Sequence, residues 1–234
     1  ASTTATVGAT DTSGLNADTV QSSDADVASG TARDVTVNGL PAGAQLAEGT
    51  YTGAYGTITV DADGKATYTQ TGLYDHTGVG SGTDAKTGAD SITIKVELAD
   101  GTTVEVTVGV DIADDVPSIS VDTPATGAYG SEITGSVDMA FGADGEKSVT
   151  VKLGNETVTG TKGTDGNYTF TFADGTVLTL NGSNGDFSYN GLPASGSDTS
   201  YDFTFTVTDN DGDSASASTT ATVGATDTSG LNAD

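Results

Sequence analysis

The chain has no cysteine and no tryptophan, a single histidine, and only seven lysines and arginines against 33 aspartates and glutamates. Without cysteine, no disulfide can brace domains of modest size, and a bound metal is the natural replacement. Without tryptophan, stacking platforms for sugar rings would rest on the eight tyrosines. Tyr68, Tyr168, Tyr189 and Tyr201 sit at strand positions that point to core instead. The shortage of basic residues leaves a formal net charge of −26, which excludes nucleic acid and anionic membrane surfaces as partners and favours cations. No apolar stretch approaches the roughly 18 residues of a membrane span, so no direct membrane insertion is expected.

Catalytic signatures are equally scarce. There is no Gly-x-Ser-x-Gly elbow and no cysteine nucleophile, and zinc would lack its preferred ligands. His76, within Tyr74-Asp75-His76-Thr77, reads as an exposed loop residue. Paired carboxylates for glycoside hydrolysis carry no weight where aspartate is everywhere. The chain is not expected to be an enzyme.

What is present is repetition. Residues 1–18, ASTTATVGATDTSGLNAD, return letter for letter as residues 217–234, an offset of 216 (217 − 1). The expectation is a window cut from a tandem array, in which each module buries its own core and contacts mainly its neighbours in the same chain. A period of 216 suits two domains of about 108 residues. Val, Ile, Thr, Tyr and Phe alternate with a period of two, which predicts an all-β chain.

Strands are predicted at 56–60 and 65–70 around Asp61–Gly64, and at 91–98 and 102–110 around Asp100-Gly101. In the second half they fall at 148–153, 156–159, 167–172, 176–180, 186–190, 201–208 and 214–223. Short strands at this spacing suggest β-sandwiches of Greek-key type. At an offset of 111, Ile92, Ile94 and Val96 align with Phe203, Phe205 and Val207, which predicts a shared closing hairpin. The segment 72–89 reads as a long surface loop. The resulting organisation is two tandem Ig-like or cadherin-like β-sandwiches, 12–113 and 114–224, preceded by the last strand of another repeat (1–11) and followed by the start of the next (225–234).

The densest acidic motif is Asp209-Asn210-Asp211-Gly212-Asp213. Three carboxylates in five residues repel one another unless a hard cation sits among them, and Ca²⁺ takes six to eight oxygen ligands. Lone Asp-Gly pairs at Asp63, Asp100, Asp144, Asp165 and Asp174 need no ion, since Asp-Gly is itself a favoured turn. A second acidic run, Asp111, Asp114 and Asp115 before Pro117, marks the domain junction, and Asp11 and Asp227 mark the other. Neither run is an EF-hand: the glycine after Asp211 comes too early, and Thr220 stands where a bidentate glutamate is required. No Gly-Gly pair occurs, against a nonapeptide calcium roll.

The phrases GTITVDADGKATYT (56–69), YDFTFTVTDNDGDSASAS (201–218) and VDIADDVPSISV (110–121) resemble the VCBS-type and related immunoglobulin-like repeats of giant bacterial RTX-type adhesins exported by type I secretion. The resemblance implies extracellular spacer modules on the bacterial surface, rigidified by Ca²⁺ and presenting terminal adhesion domains during attachment and biofilm formation. It carries the ligand role to Asp209, Asp211 and Asp213, and to Asp111, Asp114 and Asp115. The alternative is a ligand- or glycan-binding adhesin module that acts by avidity on a glycan or host surface.

Overall fold

A computed structural model of the chain describes residues 11–76, 84–193 and 197–224. The chain divides into two compact units, with the division after Asp115. Both are built from strands, and the one helix among the described residues is five residues long.

Unit 1 contains β1 (Asn16–Ala17), β2 (Val20–Ser23), α1 (Ala25–Ser29), β3 (Ala32–Val35), β4 (Val37–Asn38), β5 (Gln45–Leu46), β6 (Gly49–Thr52), β7 (Gly56–Val60), β8 (Ala66–Gln70), β9 (Ala85–Glu97) and β10 (Thr103–Ala113). Two four-stranded sheets, β2-β10-β9-β5 and β3-β8-β7-β6, form the sandwich, with a small β1–β4 pair beside them. Alternation decides the core: Ile92, Ile94 and Val96 of β9 and Val106, Val108 and Val110 of β10 face Ile58, Val60 and Tyr68 of the other sheet. β2 joins β10 in parallel, a pairing that needs a long crossover and brings Ser23 beside Ala113.

Unit 2 contains β11 (Ser118–Thr126), β12 (Ile133–Ala140), β13 (Glu146–Leu153), β14 (Glu156–Thr159), β15 (Thr161–Lys162), β16 (Tyr168–Thr171), β17 (Val177–Leu180), β18 (Asp186–Tyr189), β19 (Thr199–Asp209) and β20 (Ser214–Val223). A six-stranded sheet, β11-β12-β18-β17-β16-β15, packs on a four-stranded one, β14-β13-β19-β20. Its core is aromatic where that of unit 1 is aliphatic: Tyr168, Phe170, Phe172, Phe187, Tyr189, Phe203 and Phe205 are all buried. Phe187 stacks obliquely on Phe203 and Phe205, with centroids at 5.9 and 4.9 Å.

Two expectations need correction. The segment 72–89 is not loop throughout, because β9 begins at Ala85 and pairs past a bulge, Lys86 with Ile112 and Ala85 with Ala113. Gly88, at φ 64, supplies the left-handed residue the bulge needs, so pairing continues where the sequence looks irregular. For the same reason the closing strand of unit 1 runs to Ala113, past Val110, and takes Asp111 into the ladder. The orphan strand expected over residues 1–7 lies outside the described residues.

Candidate metal centres

The exposed Asp-Gly turns satisfy themselves. Asp100 Oδ1 accepts from the Thr102 amide (2.9 Å) and hydroxyl (2.6 Å), and Asp174 Oδ1 accepts likewise from Thr176 (2.9 and 2.7 Å). These bonds hold both carboxyls below the usual range. Asp11 belongs with them: it is exposed, takes the Ser13 amide at 2.9 Å and is lowered by that contact. Among the described residues Asp11 belongs to no group of three acids placed to share an ion, and Asp227 lies outside those residues. Asp111 is also committed to structure, with Oδ1 on the Gly88 amide (2.8 Å) and Oδ2 on the Gln21 amide side chain (2.9 Å).

The tip of the β19–β20 hairpin behaves differently. Asp209 is fully buried; its Oδ1 accepts from the Gly212 amide at 3.0 Å, while Oδ2 has no hydrogen-bond partner. Burial, then the neighbouring Asp211 carboxylate, pushes its carboxyl up to about 6. Asp213 is buried beside it, its carbonyl accepting from the Asp209 amide at 3.1 Å. Asp144 brings a carboxylate oxygen within 4.8 Å of one on Asp211, and its carbonyl accepts from the Asn210 side chain at 2.7 Å. Sequence reasoning left Asp144 as a plain turn residue; only the fold brings the β12–β13 turn to this hairpin tip. An orphaned buried carboxylate oxygen among further acids fits a hard divalent cation with oxygen ligands.

A second centre, in unit 1, was not anticipated. His76 is 2% exposed, which overturns its reading as a solvent-facing loop residue. Its ring packs edge-on against Tyr74 (4.9 Å), which in turn meets Tyr55 (5.2 Å). Asp24, His76 and Asp114 are all buried, and each brings one ligand atom within 4.8 Å of the others. Asp24 occupies the N-cap position of α1 yet makes no capping bond there. Its Oδ1 instead accepts from Gln70 Nε2 (2.6 Å) and the Tyr74 amide (2.9 Å), which turns Oδ2 toward His76 Nε2 at 3.1 Å. That contact lacks hydrogen-bond alignment, and neither ring nitrogen has a hydrogen-bond partner. Desolvation raises the Asp24 carboxyl above its ordinary value, against the Tyr74 amide, the His76 charge and Gln70, with nearby Asp115 adding to the rise.

A buried polar chain holds Asp24 in place. Gln70 Oε1 accepts from the Ser22 hydroxyl (2.7 Å), which also reaches Asp26 Oδ2 (3.1 Å), and Arg33 closes on Asp26 through two bonds of 2.8 and 2.7 Å. The short helix α1 was not read from the sequence; Gly30 ends it at φ 66. Nothing in the sequence pointed to Asp24 meeting His76.

No family model and no curated protein matches the chain. Among solved structures, it is similar to Drosophila N-cadherin EC1-3 (12% identity, TM-score 0.37, covering 88% of this chain and 63% of that one). It is also similar to a tetra-tandem repeat from the extending region of a large adhesion protein (14% identity, TM-score 0.32, 89% and 49%). A third is a part of a 1.5-MDa bacterial ice-binding adhesin (15% identity, TM-score 0.27, 90% and 64%). The chain spans less than two thirds of the length of each of these three. With every TM-score below 0.5, these similarities carry no functional argument.

Proposed function

We propose that the chain is a non-catalytic extender segment of a large bacterial cell-surface adhesin, lengthening the molecule by repeated β-sandwich units and stiffened by Ca²⁺. The observation that carries this reading is the 18-residue identity between residues 1–18 and 217–234, which marks a tandem array. Array modules need independent cores, and each unit here buries one of its own. A net charge of −26 self-repels unless cations neutralise part of it. In unit 2 Asp209 holds an orphaned Oδ2, and Asp211 and Asp144 bring carboxylate oxygens within 4.8 Å of each other, a supply of hard oxygen ligands. Extracellular modules bind Ca²⁺ at about 10⁻⁴ to 10⁻³ M, so such sites fill outside a cell and empty in the cytosol. No helix among the described residues is long and apolar enough to cross a membrane.

Calcium titration of the metal-free chain tests the reading. Expected is a rise in the melting temperature of unit 2 that saturates near millimolar Ca²⁺ and vanishes in Asp209→Asn. An unchanged melting temperature at 10 mM Ca²⁺ would remove calcium from the account.

One observation favours a second reading, a ligand-binding module acting by avidity. Unit 2 carries a cleft of about 940 Å³ whose lining includes Thr134, Asp165, Asn167, Tyr168 and Asp186. Amide, carboxylate and hydroxyl groups lining one cleft suit a sugar. A glycan-array screen with and without Asn167→Ala separates this reading from a pure spacer.

A further inference from the structure

From the placement of Asp24, His76 and Asp114 in unit 1, we propose a binding site for a divalent first-row transition cation, with Zn²⁺ the best match. Their donor set is one imidazole nitrogen and two carboxylate oxygens, all buried and mutually within 4.8 Å. Calcium takes oxygen ligands, whereas imidazole suits Zn²⁺ and its neighbours. The His76 Nε2 to Asp24 Oδ2 distance is 3.1 Å. Two ligands bound at about 2.0–2.2 Å to one ion at tetrahedral or octahedral angles stand roughly 3.0–3.5 Å apart, so the pair is already at ligand spacing. Three protein ligands leave a fourth position for water, as in open zinc sites.

Two further features point to an ion. In a 2%-exposed imidazole Nδ1 has no hydrogen-bond partner, and Nε2 meets the fully buried Asp24 Oδ2 at 3.1 Å without forming a hydrogen bond, an arrangement that costs free energy unless an ion satisfies it. The supporting bonds also match what metal ligands require. Asp24 Oδ1 is held by Gln70 Nε2 and the Tyr74 amide, its own amide donates to the Ala113 carbonyl (3.0 Å), and the Asp114 amide donates to that of Asp84 (3.1 Å). Such bonds orient ligands before the ion arrives. A buried ion there would tie α1, the segment after β8 and the end of β10 together, which is the role a disulfide plays elsewhere. Its imidazole distinguishes this donor set from the all-oxygen acids of unit 2, and the His76 resonances report on it directly.

The single histidine makes the test clean. Zn²⁺ is added stoichiometrically to the untagged, metal-free chain while the imidazole ¹⁵N resonances are followed by NMR and the melting temperature of unit 1 by calorimetry. Expected are a saturable shift of a His76 nitrogen at one equivalent and a rise of roughly 5–15 °C at saturation. Millimolar Ca²⁺ should move neither. His76→Gln should weaken zinc binding more than 100-fold, an order set by the loss of a direct ligand, while preserving the response of unit 2 to calcium. The ¹⁵N readout in the unaltered chain decides the matter even if His76→Gln fails to fold. Zinc that leaves the His76 resonances unmoved, or calcium that shifts them and displaces zinc, overturns the proposal.

Discussion

In unit 1 the β9–β10 hairpin buries Ile92, Ile94 and Val96; in unit 2 the β19–β20 hairpin buries Phe203, Phe205 and Val207 at matching positions. Their tips are opposites. Asp100 lies in water and spends Oδ1 on Thr102, whereas Asp209 is sealed from solvent with one oxygen unanswered. The same strand pattern thus ends once in a self-satisfied turn and once in a buried turn with one carboxylate oxygen unpaired. An acidic turn points to an ion when burial removes the water that would otherwise serve its oxygens, not merely because it is acidic.

The core half of the comparison gives the largest expected effect. Phe205→Ala should destabilise unit 2 by about 3–5 kcal/mol and Ile94→Ala unit 1 by about 2–5 kcal/mol. Denaturant unfolding followed separately for each unit measures both. A loss under 1 kcal/mol at either position would break the claim that the two faces are equivalent.

The tips should differ in pH dependence. Without calcium, the folded Asp209 holds its proton up to about pH 6, whereas the unfolded chain releases it near its ordinary value of 3.8. The stability of unit 2 is therefore full below that window, falls by roughly 1–3 kcal/mol as pH rises through it, and is flat above. Asp209→Asn should flatten the profile, and saturating Ca²⁺ should reverse the fall. Asp100 has the opposite sign: its carboxyl is lowered, so its contribution is present above pH 3.8 and lost only on further acidification. Asp100→Asn should leave the profile of unit 1 unchanged between pH 4 and 7.

A smaller effect separates the supporting shells. Burial pushes Asp26 up, but the Arg33 bonds, the Ser22 and Ser23 contacts and the guanidinium charge outweigh it and hold it low. Its contribution is present above pH 3.8 and lost as pH falls below. Arg33→Met should cost unit 1 about 1–2 kcal/mol at neutral pH, by thermal melts, and weaken zinc binding through Ser22, Gln70 and Asp24. No loss in either would detach that chain from the site.

The alternating strands and their turns were legible because period-two burial is a local signal: β14 and β20 fall at 156–159 and 214–223, as read from sequence. The two-residue strands β1, β4 and β5 and the five-residue α1 were not, since none is long enough to show a period. At the sites, the crowding at Asp209 and Asp211 was visible as a motif. Asp24, His76 and Asp114 were not joined, because the parallel β2–β10 pairing and the Gln70 bridge bring them together across the chain. The aromatic core of unit 2 was not legible either, since Phe170, Phe187, Phe203 and Phe205 converge only through the sheet order.

The most direct test of the extender account is small-angle X-ray scattering on a chain of several 216-residue periods, first in chelator and then in millimolar Ca²⁺. The account predicts a larger maximum dimension and a stiffer profile with calcium, reversed by chelator and absent in Asp209→Asn. Superimposable curves in the two conditions, with no heat of calcium binding by calorimetry, would contradict it.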